Sequence, residues 1–200
     1  MRAFTSLLFA SLVAACSGEP SQPSANTAVA SCASRAYAEI GGPISLIDTR
    51  GQTVTEADLK GAHSLVYFGF TYCPDICPNT LVTIDRALDQ MPDTIEKPRT
   101  VLISVDPQRD TPDAMASYIS TPAFPDDMVG LTGSMDAIEA AADAFKTGFQ
   151  RIETPDSLAE YTIDHTSIVY LMNEDWQLKT FFTHEATPDT MATCLAELLG

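Results

Sequence analysis

The sequence predicts one α/β domain with a mixed central sheet flanked by helices. Two continuous apolar runs, 64–70 and 101–105, lack alternation, as strands buried on both faces do. After the apolar runs, helix starts recur. Thr111-Pro112-Asp113 and Thr187-Pro188-Asp189 each supply an N-cap, a proline for the first helical position and an acid for the first turn. The chain then closes on strand, turn, strand and helix, which sets antiparallel pairing beside the crossovers of a parallel sheet.

Taken in order, the chain begins with an address. Arg2 precedes Ala3 to Ala15, an uncharged apolar run. A bilayer span needs ~20 apolar residues, so 1–15 reads as a cleaved signal peptide. Leu12-Val13-Ala14-Ala15-Cys16 resembles the lipobox of bacterial lipoproteins, where cleavage leaves a lipidated cysteine at the new N-terminus. An ordinary signal peptide with a cysteine at its edge is the alternative. The lipobox predicts a protein of the bacterial periplasm, held to the membrane by a lipid on Cys16. Residues 16–36 are rich in Ser, Pro, Ala, Gln and Asn without apolar periodicity, and so read as a flexible tether. The folded domain is expected over 37–200, beginning near Tyr37.

Residues 44–48 alternate like a strand, and Thr49-Arg50-Gly51-Gln52 turns the chain into Thr53-Val54. Glu56 to Leu59 fits one helical turn closed by Gly61. After the buried run 64–70 comes Thr71-Tyr72-Cys73-Pro74-Asp75-Ile76-Cys77-Pro78, then a helix whose buried stripe is Leu81, Ile84 and Leu88. The second run is followed by a helix from Thr111 to about Ser120. A short strand is expected over 129–131, and Ser134 caps a helix through Phe145. Strands over 167–172 and 177–183 flank the turn Asn173-Glu174-Asp175, and a helix to Leu199 ends the chain. A buried central strand running into a cysteine motif at a helix start, with a terminal hairpin and helix, is the thioredoxin layout.

Charge narrows the partners. With 11 basic against 27 acidic residues, the formal net charge is -16. Such a surface repels phosphate backbones and anionic headgroups, which argues against nucleic acid and against electrostatic membrane binding.

Cys73 and Cys77 are separated by three residues and each precedes a proline. Pro78 suits the first helical position, which makes Cys77 the expected N-cap and puts Cys73 in the preceding loop. Both sulfurs then sit at the positive end of a helix, where the thiolate is favoured. A disulfide between them would close only a tiny loop and add little stability. Structural zinc wants four ligands, and no second cysteine pair accompanies these two. A plain dithiol redox site has two intervening residues rather than three, which weakens that reading without removing it. His165, just before the strand at 167–172, is expected in a loop facing the cysteines. With it the set becomes two thiolates and an imidazole, suited to Cu(I) and, through the nitrogen, to Cu(II). Asp164 could orient the imidazole or simply cap the loop.

The chain from Ile40 onward resembles the SCO/SenC family of copper proteins involved in cytochrome c oxidase assembly. The resemblance rests on Ile40-Gly41-Gly42-Pro43, Phe68-Gly69-Phe70-Thr71, Cys73-Pro74-Asp75-Ile76-Cys77-Pro78, the segment Val105 to Pro112, Gly130-Leu131-Thr132-Gly133 and Asp164-His165-Thr166. It implies a thioredoxin fold and one copper per chain, held by the positions that are here Cys73, Cys77 and His165. It also implies a partner, the copper-centre subunit of the oxidase, which receives copper or has its cysteines reduced through Cys73 and Cys77. A redox or copper sensor is a third reading. Asp106 to Pro112 belongs to the resemblance but suggests no chemistry, only a packed loop and helix start. Tyr72 departs from the commonest pattern.

Cys32 and Cys194 remain. In an exported protein an extra even pair suggests a structural disulfide, here tying the tether to the last helix; two free thiols are the alternative. His63 and His184 read as surface residues, and Trp176 and the scattered methionines as packing.

Overall fold

Apolar continuity places the two unalternating runs at the middle of a seven-stranded sheet in the computed structural model, which describes Cys32 and residues 37–200. The expected signal peptide, Cys16 and most of the tether lie outside the described residues. Strand β1 is Ser45–Asp48, β2 Thr53–Thr55, β3 Ser64–Gly69, β4 Arg99–Ser104, β5 Val129–Thr132, β8 Ile168–Met172 and β9 Leu178–Thr183. Their order across the sheet is β2-β1-β5-β4-β3-β8-β9. The centre is parallel, with Val66 opposite Val101 and Val101 opposite Val129, while β1, β8 and β9 pair antiparallel. All six residues of β3 are buried, as its composition requires.

Helix α1 is Glu56–Leu59, α2 Ile76–Asp89, α3 Pro112–Ile119, α4 Met135–Phe145 and α5 Pro188–Leu199. Three caps form where the sequence places them: Thr111, Ser134 and Thr187 accept from the backbone N–H groups of Ala114, Ala137 and Thr190. Successive side chains of β3 point to opposite faces. Phe68 meets Phe145 of α4, with ring centroids 5.4 Å apart, while Gly69 lies under the Cys77 sulfur of α2. Helices α2 and α4 therefore cover opposite faces of the sheet, and α5 packs beside α2. This is the thioredoxin-like arrangement. Trp176 is buried near Phe145 and donates from Nε1 to the Gly42 carbonyl at 2.9 Å, a packing role.

Two local expectations need correction. Helix α2 starts at Ile76 with Asp75 at its N-cap, so Cys77 is the second helical residue and not the cap. Pro78 is then third, still among the first N–H positions that have no intrahelical acceptor, so its missing donor costs nothing there. Second, the stretch before β8 is not a loop. It contains a two-stranded antiparallel ribbon, β6 (Phe149–Glu153) paired with β7 (Tyr161–His165), separate from the main sheet. Four of the five β6 residues are exposed, so no apolar run marks the strand. The signal is the alternation in β7, where Tyr161 and Ile163 are buried on the face that also carries His165.

Cys32 and Cys194 are joined as a disulfide, their Cα atoms 5.0 Å apart and 162 positions apart in sequence. Among the described residues, no helix is long and apolar enough to cross a membrane.

Candidate metal centre

The buried strand β3 delivers the chain to Phe70, where a turn begins: Cys73 N–H donates to the Phe70 carbonyl at 3.2 Å. Cys73 is half-buried in this turn, and Cys77 is fully buried in the first turn of α2. The Cys77 backbone N–H points at Cys73 Sγ, 3.3 Å away, so the free donors of the helix start face that sulfur. Cys77 Sγ has room because residue 69 is glycine; a Cβ there would stand 3.1 Å from the sulfur and 3.0 Å from Tyr67 Cε1.

His165 closes the site from the end of β7, where it pairs with Phe149 of β6. Its Nε2 lies 3.4 Å from Cys77 Sγ. The rings of Tyr67 and Phe70 meet the imidazole edge-on, with centroids at 6.1 and 5.8 Å. Nδ1 is 3.3 Å from the Thr166 carbonyl. A carbonyl can only accept, so this contact takes its proton from Nδ1 and leaves Nε2 facing the cysteines. The orienting role considered for Asp164 goes instead to Thr166. Asp164 is the preceding strand residue, so its side chain points away from the imidazole and is exposed.

One donor atom from each of Cys73, Cys77 and His165 falls within 4.8 Å of the others. Metal bonds of about 2.0–2.3 Å to nitrogen and sulfur set donors about 3.5–3.8 Å apart in trigonal or tetrahedral geometry. The donor set fits a soft ion once the widest pair closes by no more than about 1 Å. His63 and His184 do not join this cluster.

The two sulfurs are unlike. A hydrogen bond from the Cys77 side chain holds the Cys73 thiol down to about 4, helped by His165 and by the backbone N–H groups of Cys77 and Asp75 against the effect of burial. That same hydrogen bond, burial and the Cys73 charge push Cys77 up. The metal-free dithiol thus carries a thiolate on Cys73 and a protonated thiol on Cys77. Iodoacetamide should label Cys73 first in the reduced protein, at a rate nearly flat from pH 8 to pH 5 and falling below that. A rate still climbing through pH 8 would show an ordinary thiol.

Fold and site together define a thioredoxin-like protein carrying a two-cysteine, one-histidine cluster at the start of a helix. The SCO1/SenC family model matches residues 33–200, and the chain belongs to that family. It is 38% identical over 157 residues to Protein SenC of Rhodobacter capsulatus, covering 78% of this chain and 69% of that one. Copper-bound ScoI of Arabidopsis thaliana superposes with a TM-score of 0.74 at 35% identity, over 79% of this chain and 96% of that one. Copper-bound ScoI of Bradyrhizobium japonicum gives 0.70 at 38% identity, over 80% and 99%. The chain spans 45% of the mitochondrial SCO1 homolog 1 of Arabidopsis thaliana and 60% of sco1 of Schizosaccharomyces pombe, about half the length of these curated relatives.

Proposed function

We propose that this protein binds one copper ion through Cys73, Cys77 and His165 and delivers it to the binuclear copper centre of a cytochrome c oxidase subunit. The observation that carries this reading is the convergence of two sulfurs and an oriented imidazole nitrogen within 4.8 Å. Soft thiolates favour Cu(I), and the imidazole makes Cu(II) accessible as well. The half-buried Cys73 leaves one edge of the centre open to a receiving site. His165→Ala should retain some Cu(I) while losing most Cu(II), because Cu(I) can settle on two sulfurs. Equal binding of both oxidation states by variant and native protein would remove His165 from the centre.

A second reading is favoured by the asymmetry of the cysteines: reduction of the client's disulfide. The Cys73 thiolate would attack one client sulfur, forming a mixed disulfide and releasing the other as a thiolate. Cys77, losing its proton, would then attack Cys73 Sγ. The products are a Cys73–Cys77 disulfide and the client dithiol, with two electrons passed. Since His165 is dispensable for exchange, the His165→Ala variant separates the readings: copper delivery is impaired in it along with Cu(II) binding, and thiol exchange persists.

We place the protein in the bacterial periplasm, anchored to the membrane by a lipid on Cys16, with residues 16–36 as tether to a domain over 37–200. Cys16→Ala should move it from the membrane fraction to the soluble exported fraction. A variant that still sediments with membranes would contradict lipid anchoring at Cys16.

A further inference from the structure

The ribbon that carries His165 is not hydrogen-bonded into the main sheet. A two-stranded ribbon has little stability of its own, so side-chain contacts must fix its position relative to the cysteines. Those contacts converge on Asp106 to Asp110, between β4 and α3. The Arg109 guanidinium donates from Nη1 to the carbonyls of Tyr161 at 3.1 Å and Ala159 at 3.3 Å, at the start of β7. From Nε it pairs with the buried Asp106 carboxylate, whose other oxygen accepts from the Tyr161 hydroxyl at 2.8 Å. The guanidinium carbon lies 3.7 Å from the Tyr161 ring centroid and 4.7 Å from that of Tyr72. Tyr72 is the residue before Cys73. Next to Arg109, the buried Asp110 accepts from the Thr71 hydroxyl at 2.6 Å and from the Thr71 N–H at 3.1 Å.

One short turn thus grips both ligand-bearing segments, the Cys73 loop at Thr71 and Tyr72 and the His165 strand at Tyr161. We propose that this turn, through Arg109 above all, is a clasp that positions His165 against the cysteines, so that loosening it detaches the imidazole from the metal while sparing the two sulfurs. The inference rests on the copper reading of the centre. Stability alone is a weak reason for such a pair, because burying Asp106 and Arg109 costs desolvation that the ion pair only partly offsets. Geometry is the stronger reason. From Tyr161 to His165 the strand runs about 13 Å at ~3.3 Å per residue, so a tilt of ~5° at the clasp displaces the imidazole by ~1 Å. Lysine keeps the charge but loses the planar fork and the stacking between two rings.

The test uses the purified full chain, titrated with Cu(I) against a competing chelator and with Cu(II), following thiolate-to-copper absorption and electron paramagnetic resonance. Arg109→Lys should weaken Cu(II) at least tenfold and shift its spectrum, with Cu(I) affinity within about threefold of native. Tyr72→Leu, an exposed change that removes stacking on the Cys73 side alone, should shift Cu(II) in the same direction by less. In the metal-free protein, the His165 ring proton resonances should be single and sharp in native protein and broadened or split in Arg109→Lys. Should Arg109→Lys fail to fold, the Tyr72→Leu spectra and ring resonances decide alone. Unchanged Cu(II) spectra and ring resonances in folded variants overturn the clasp, as does an equal loss of Cu(I) and Cu(II). A native protein that binds no copper, yet shows the changed ring resonances on substitution, overturns the metal reading and supports the clasp.

Discussion

Replacing Cys73 or Cys77 with alanine should lower Cu(I) affinity at least ~1,000-fold, about 4 kcal/mol, and reduce bound copper from one per chain to nearly none. Each substitution removes one of the two thiolates, the soft donors that contribute most to holding Cu(I). What remains is one sulfur and an imidazole, too few to compete with chelators. The two variants should differ in their folding. Cys77 is buried against Tyr67 and Gly69, so its alanine variant leaves a small cavity, whereas Cys73 is half-exposed. Chelator competition on both variants, with thermal melts alongside, separates lost ligation from lost stability. Native affinity in either variant would show that its sulfur is not a ligand.

Removing the second cysteine pair should act on stability and leave copper alone. Cys32→Ser is the cleaner substitution, because Cys194 is buried in α5 and Cys32 only partly so. Closing a loop of this length stabilises by ~5 kcal/mol as an upper figure in the chain-entropy model, and native bridges in small exported domains are worth about 2–5 kcal/mol. For a domain of this size that corresponds to a fall in Tm of roughly 5–15 °C. Strong reductant should reproduce the fall in the native protein. Peptide mapping without reduction should recover Cys32 linked to Cys194, while Cys73 and Cys77 are released by gentle reduction. An unchanged Tm in Cys32→Ser, or Cys32 alkylated as a free thiol in native protein, would contradict a stabilising bridge.

The helices were legible because their starts are written in short-range chemistry. Thr111, Ser134 and Thr187 cap where they stand, since a side-chain oxygen three residues before a free N–H needs little help from the rest of the fold. The central strands were legible because burial on both faces leaves few polar residues to interrupt the run. The ribbon was not legible. Its outer strand is exposed, and what holds it is the distant Arg109, 52 positions from the Tyr161 carbonyl it binds. The same distance hid the purpose of Asp106 to Asp110. Read locally it is a turn before a helix, and only the tertiary fold brings Thr71, Tyr72 and Tyr161 around it. The cluster of Cys73, Cys77 and His165 was readable from residue type and topology. Glycine at 69, the edges of Tyr67 and Phe70 and the Thr166 carbonyl were not, because their roles depend on where a ring or a sulfur finally rests.

Copper-edge X-ray absorption on the Cu(II)-loaded full chain addresses the centre most directly, since it counts the donor types around the ion. Two sulfur scatterers and one imidazole nitrogen at bonding distance are predicted, with the nitrogen lost from the Cu(I) that His165→Ala retains and almost no bound copper left in either cysteine variant. A first shell made only of nitrogen and oxygen, or one unchanged by those three substitutions, would contradict the assigned centre.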